Sequence, residues 1–347
     1  MSLTFRKRIL AAILIGGVAF PLHSSFAQNG RLREALKRSW IEKHQKYTPA
    51  NASSDPLAKI TRAGDYSFSI EHGGLTRKYL VHVPTKYQPT SPAPLLIALH
   101  GGGGNMEYQA NDKYYGLISK SEKEGFVVAF PNGYSRLPSG KFATWNAGNC
   151  CGGARDENVD DVGFIKKIID NLSHQLNIDS KKVFATGMSN GGMMSHRLAC
   201  ELAGTISAIA PVAGTDNTKS CNAQAPVSVL EIHAKNDDHV LFNGGAGTSL
   251  RDKSIVTDFT SVPETIAKWV KRNGCNPQPS RVLTVPGAYC DLYTRCRSNT
   301  QVKLCVTDTG GHSWPGGTKP RGDELPSKAV SADDLMWDFF MSKQPKK

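Results

Sequence analysis

The sequence predicts an α/β fold, a mostly parallel central sheet with helices on both faces, stapled by disulfides. Two observations carry the fold and a third the staples. Six short apolar runs rich in β-branched residues have the character of strands buried on both faces. Between and after them lie segments whose apolar residues recur every three to four positions, as on one side of a helix. Eight cysteines, none at zinc-site spacing, follow a segment that reads as an export leader.

That leader comes first. Arg6, Lys7 and Arg8 precede "ILAAILIGGVAF", which stops at Pro21 and is too short to span a bilayer, and Ser25 and Ala27 offer small residues to signal peptidase. Residues 1–27 are therefore expected to be removed, which places the mature chain outside the cytoplasm, extracellular or periplasmic. No later stretch is long and apolar enough to cross a membrane. The formal charge is +12, and removing the three charges of Arg6, Lys7 and Arg8 leaves nine. That surplus favours anionic surfaces, but no basic strip interleaved with aromatics and no nucleic-acid motif accompanies it. Residues 28–64 read as a basic helix, "RLREALKRSWIEKHQKY", and a polar connector, with the α/β domain occupying 65–347. The sequence does not indicate an oligomeric state.

Within that domain the expected strands are 77–84, 94–100, 126–131, 182–187, 206–214 and 227–233. The expected helices are "NDKYYGLISKSEKEG", "DVGFIKKIIDNLSHQLN", "NGGMMSHRLACELAG", "VPETIAKWVKRN" and "ADDLMWDFFMSK". Eight cysteines allow 105 pairings. Cys290 and Cys305 sit on two β-rich runs equidistant from a polar turn near Ser298, so a hairpin sets them opposite each other. Cys200 closes one helix and Cys221 precedes the next strand. By elimination Cys275 meets Cys296, leaving the adjacent Cys150 and Cys151 bridged to each other or reduced.

Ser189 stands in "KVFATGMSNGGMMS", a strand, a glycine turn and a helix. This is the setting of a nucleophile elbow, in which glycines admit a strained serine and the helix N-terminus faces a developing oxyanion. A serine needs a base held by an acid, and in this type of sheet those partners follow it in the order acid, then histidine. After the strand "VSVLEIH" comes "AKNDDHV", offering Asp237 or Asp238, and after "VKLCVTD" comes "TGGHSWPGG", offering His312. Four glycines follow the strand "LLIALH", and the amides of Gly102 and Asn190 are the expected oxyanion donors. No G-K-[ST] follows these glycines, which argues against a phosphate cradle.

The set "LHGGGGN", "WNAGNCCGGARDENVDDVGF", "GMSNGGMMSHRLAC", "IHAKNDDHVLFNGG" and "GGHSWPGG" resembles the secreted polyhydroxybutyrate depolymerase-like esterases, a family that includes feruloyl esterases. The resemblance runs from about residue 65 to 343. It implies an α/β-hydrolase fold without metal or cofactor, hydrolysing carboxylic esters through an acyl-enzyme, with Ser189 as nucleophile, Asp237 as acid and His312 as base. The sequence departs from the family at Ala234-Lys235-Asn236-Asp237-Asp238, where a Gly-Thr-x-Asp-Pro run is usual. Asp160 and Asp161 also match, but read physically as the cap of the following helix.

Trp145, Asn146 and Trp314 are expected to line the acyl pocket, with core packing as the competing reading of the tryptophans. The expected substrates are feruloyl or acetyl esters of plant polysaccharide, or short hydroxyalkanoate esters. Two other functions fit the same residues: a non-catalytic polysaccharide binder on this fold, and an acyltransferase or peptidase using the same triad.

Overall fold

Consecutive side chains along the central strands enter opposite apolar layers, because a strand alternates its side chains across the sheet. Leu95, Ile97 and Leu99 join one layer with Val183 and Ala185, whereas Leu96, Ala98 and Phe184 join the other. The computed structural model describes residues 51–52, 58–250, 258–319 and 324–342. The expected leader, 1–27, and most of the basic segment, 28–64, lie outside them. No described helix is long and apolar enough to cross a membrane.

The strands are β1 (Asn51–Ala52), β2 (Gly64–His72), β3 (Leu75–Val83), β4 (Ala93–Leu99), β5 (Val127–Pro131), β6 (Ile178–Met188), β7 (Ala208–Val212), β8 (Ser228–Ala234), β9 (Ser280–Val285), β10 (Ala288–Tyr293) and β11 (Val302–Thr307). They form one sheet in the order β1-β2-β3-β5-β4-β6-β7-β8-β11-β10-β9. From β5 to β11 every neighbouring pair is parallel. Antiparallel pairs flank that centre on both sides. All six expected strands are present, although β3 pairs antiparallel with β5.

The helices are α1 (Met106–Gln109), α2 (Asp112–Tyr115), α3 (Leu117–Glu124), α4 (Gly152–Asp156), α5 (Asp161–Gln175), α6 (Asn190–Glu201), α7 (Val262–Asn273) and α8 (Ala332–Met341). Phe164, Met194 and Trp269 carry α5, α6 and α7 into the first layer, while Leu117 and Phe340 carry α3 and α8 into the second. The sheet is thus covered on both faces, as expected. One helix differs from its pattern. The run 111–125 breaks into α2 and α3 because Gly116 adopts φ 70°, left-handed backbone that ends the first helix.

Asp160 caps α5, its carboxylate accepting from the Gly163 amide at 2.9 Å. Asp161 does not cap. It is buried, accepting from Arg77 Nη2 at 2.7 Å and from the Asn146 amide at 2.8 Å. A buried carboxylate needs such partners, because burying an unpaired charge is costly. The cysteines pair as 150–151, 200–221, 275–296 and 290–305. Cys290 and Cys305 stand directly opposite in the antiparallel register of β10 and β11.

Candidate active site

Ser189 is the single residue between β6 and α6, at φ 56°, ψ −121°. A non-glycine residue there is strained by about 1–3 kcal/mol, and its surroundings must hold it in place. The amide of Ser189 donates to Val212 O and its carbonyl accepts from Met193, both at 2.9 Å. Glycine is required around the turn: a Cβ on Gly191 would collide with the Leu99 carbonyl, and one on Gly214 with the Ser189 carbonyl. The turn therefore packs backbone against backbone between two neighbouring strand ends.

The loop after β4 is tied from below by a histidine that sequence reasoning did not single out. His100 is fully buried, its Nδ1 2.8 Å from Gly101 O and its Nε2 accepting from the Gly133 amide at 2.9 Å. One nitrogen donates and the other accepts, so the ring is neutral. Burial, with some repulsion from Arg77, lowers its pKa to about 4 against the opposing Gly101 hydrogen bond. Gly103, at φ 76°, donates to Ala143 O at 2.8 Å. A Cβ on Gly102 would lie 3.5 Å from Asn190 Cβ, so the two expected oxyanion donors are neighbours. Among the described residues neither amide donates to a protein acceptor. The Asn190 side chain is occupied with Trp145, accepting from its amide at 2.7 Å and donating to its carbonyl at 3.0 Å.

Asp237 follows β8 and His312 follows β11, which are parallel neighbours. Loops at the carboxyl ends of parallel strands gather on one rim of the sheet, where ligands of such folds bind. His312 Nδ1 lies 2.8 Å from Asp237 Oδ2. Oδ1 of the same carboxylate accepts from the His239 and Val240 amides at 2.8 and 2.9 Å. Burial opposes ionisation of Asp237, but His312, His233 and the amide donors prevail and lower its pKa to about 2. Asp238 instead turns to solvent and accepts from Ser249 Oγ at 2.5 Å.

Asn236 joins the two loops, its Oδ1 accepting from Gly311 at 3.0 Å and its amide nitrogen donating to Glu324. Glu324 also accepts from Gly310 at 3.2 Å. Both residues escaped sequence reasoning, because no spacing rule marks a hydrogen bond between distant loops. The His239 ring stacks on His312, centroids 4.5 Å apart. Asp237, His239 and His312 bring their oxygen and nitrogen atoms within 4.8 Å of one another. Asp237 is taken by His312 Nδ1 and two amides, and His239 Nδ1 lies 2.6 Å from Asp238, so the trio reads as a hydrogen-bonded cluster.

The three expected pocket residues are all buried. Trp145 is fully buried, its indole N–H donating to His100 O at 2.9 Å beneath the glycine loop. Trp314 is 3% exposed, its indole N–H donating to Asp333 at 3.0 Å and its ring packed edge-on against Tyr115. Asn146 is also buried, donating to Val159 O at 3.1 Å. Each large ring finds its polar partner inside the protein, as the core-packing reading of the tryptophans has it, and Asn146 lines a small cavity with Asn158 and Arg197. Among the described residues Phe142, next to Ala143, and Leu325, next to Glu324, are exposed apolar side chains that follow no periodic pattern.

No protein-family model matches the chain. It is 32% identical over 244 residues to feruloyl esterase B of Piromyces equi, covering 68% of this chain and 42% of that longer protein. It is 30% identical over 272 residues to a probable feruloyl esterase C of Aspergillus clavatus, covering 77% of this chain and 84% of the relative. The solved structure of an acetyl xylan esterase from Aspergillus awamori superposes with a TM-score of 0.51 at 14% identity, covering 83% of this chain and 97% of the other. That likeness establishes the α/β-hydrolase fold.

Proposed function

From the premise that the chain belongs to the feruloyl esterase family, we propose that it is an exported serine carboxylic-ester hydrolase with Ser189 as nucleophile, His312 as base and Asp237 as acid. The observation that carries the residue roles is the 2.8 Å bond from His312 to Asp237 on the strand rim that also carries the Ser189 elbow. Its substrates are feruloyl or acetyl esters of plant polysaccharide, with short hydroxyalkanoate esters as the related chemistry. Export is supported by the leader-like N-terminus and by cysteines that are all paired among the described residues.

The chemistry runs as two acyl transfers. His312 Nε2 takes the Ser189 proton as Oγ attacks the ester carbonyl, while Asp237 holds the proton of Nδ1 and stabilises the imidazolium that forms. The negative oxygen of the tetrahedral intermediate accepts from the amides of Gly102 and Asn190, preorganised donors that need no reorientation as charge develops. Collapse breaks the ester C–O bond, and His312 returns the proton to the departing alcohol. The acyl group now rests on Ser189. Water, deprotonated by the same imidazole, attacks it, the Oγ–acyl bond breaks as His312 returns the proton to Ser189 Oγ, and the carboxylic acid leaves.

The test is initial hydrolysis rate on methyl ferulate, acetylated xylan, a 3-hydroxybutyrate oligomer and p-nitrophenyl acetate, for wild type and Ser189→Ala. Ser189→Ala is expected to lower kcat on the order of 10⁶-fold, since loss of a triad serine removes the covalent path. Turnover unchanged in that variant would overturn the triad. Turnover confined to the activated acetate would overturn the substrate assignment alone.

A further inference from the structure

Asp237 has a second imidazole beside it. His233, on β8, is fully buried, and its Nε2 lies 3.4 Å from Asp237 Oδ2, the oxygen that also faces His312. Both ring nitrogens of His233 meet acceptors. Nε2 is 2.9 Å from the Val240 carbonyl, which cannot donate, so Nε2 carries a proton. Nδ1 is 3.0 Å from Oε1 of Glu231, itself fully buried.

Where the second proton sits depends on Glu231. Its other oxygen, Oε2, lies 3.2 Å from His196 Nε2. Trp269 Nε1 donates to His196 Nδ1 at 2.9 Å, so the His196 proton is on Nε2 and points to Glu231. Glu231 thus accepts at Oε2 from His196, and its Oε1 faces His233 Nδ1, so one proton lies between carboxyl and imidazole; the Asp237 carboxylate 3.4 Å from His233 Nε2 favours the imidazolium.

We propose that His233 is a positioning residue held as a buried imidazolium by Glu231, a second cation beside Asp237 that keeps this carboxylate ionised and opposes further positive charge at the catalytic site. The consequence is activity retained into mildly acidic solution. The inference rests on His312 being the general base. Burial alone would lower the pKa of His233, yet the hydrogen bond and charge of Glu231, with the charge of Asp237, raise it.

Among the described residues His312 faces Asp237 and the His239 ring, whose Nδ1 is 2.6 Å from Asp238. His233 faces Glu231, Asp237 and the edge of the Phe242 ring. Beyond Glu231 stand His196 and Trp269, and Asp216 beyond them is paired with Arg272.

Two measurements test the proposal on the full chain. In kcat/KM for p-nitrophenyl acetate against pH, His233→Gln is expected to move the acid limb up by about one pH unit, the scale of one unit charge a few ångströms away at intermediate dielectric. In ¹⁵N NMR of histidine-labelled wild type, His233, assigned by its loss in His233→Gln, is expected to stay doubly protonated from pH 5 to 8. In Glu231→Gln it is expected to titrate within that range.

A neutral His233 in wild type overturns the proposal, and so does a uniform loss of rate with the limb unmoved, which is what a packing role alone produces. If His233→Gln does not fold, the wild-type and Glu231→Gln spectra decide. Failure of the triad reading is separable: Ser189→Ala would keep its turnover, whereas the protonation state of His233 is read without any catalysis.

Discussion

Asp237 and Asp238 are adjacent and chemically identical, yet their surroundings differ completely. Asp237 is buried and accepts from two amides and His312, while Asp238 is half exposed and holds Ser249 and His239. Asp237→Asn is expected to lower kcat by about 10⁴, because an amide cannot hold the productive tautomer of the base. Asp238→Asn should cost less than about tenfold, since its partners are exposed and screened. Steady-state rates of the two variants on one ester decide the assignment, and equal losses would refute it. The pair also marks a limit of sequence reasoning. The strand before it was legible, but which of two neighbours turns inward depends on the φ/ψ path of an aperiodic loop.

Among the elements, the loops after β8 and β11 depend on each other. Asn236 is exposed and buries no core surface, but it bonds Gly311 next to His312 and, through Glu324, Gly310. Asn236→Ala is expected to change unfolding free energy by less than about 1 kcal/mol. It should nevertheless lower kcat by about tenfold or more, because a loosened loop misplaces the imidazole. Urea unfolding alongside kcat separates the two effects, and a loss of stability without loss of rate would contradict the tie. Strands were the most readable elements here, because a strand buried on both faces is a short apolar run whatever its neighbours. The break at Gly116 was not read, since an isolated glycine interrupts no periodicity until its φ turns positive.

For the whole molecule, two buried groups oppose acid. His100 ionises with a pKa of about 4 when folded, below the ordinary 6.5. Its folded form binds fewer protons, so stability falls as pH drops from 6.5 to 4, by roughly 3 kcal/mol. Asp237 adds a second loss lower down, as pH falls from the ordinary 3.8 through its folded pKa of about 2. His233 acts in the opposite sense, its raised pKa contributing stability below 6.5 that is lost as pH rises through the folded value. Urea unfolding at pH 7, 5.5 and 4 is expected to show a steep decline in wild type and a shallower one in His100→Gln. Parallel declines would show that His100 is not the responsible group.

The sequence by itself determined the layered α/β architecture, the cysteine pairs other than 150–151, and the strand ends that carry Ser189, Asp237 and His312. These follow from period-two and period-3.6 patterning and from the order of elements, which are local properties of the chain. Only the tertiary structure decided that Cys150 and Cys151 bridge, that Trp145 and Trp314 face inward, that Asp237 also accepts from the His239 and Val240 amides, and that Glu231 and His233 stand behind the site. For all but the adjacent cysteines the physical reason is common. Each depends on which buried polar group finds a partner across the fold, and a buried donor or acceptor is satisfied by residues dozens of positions away that no local pattern encodes.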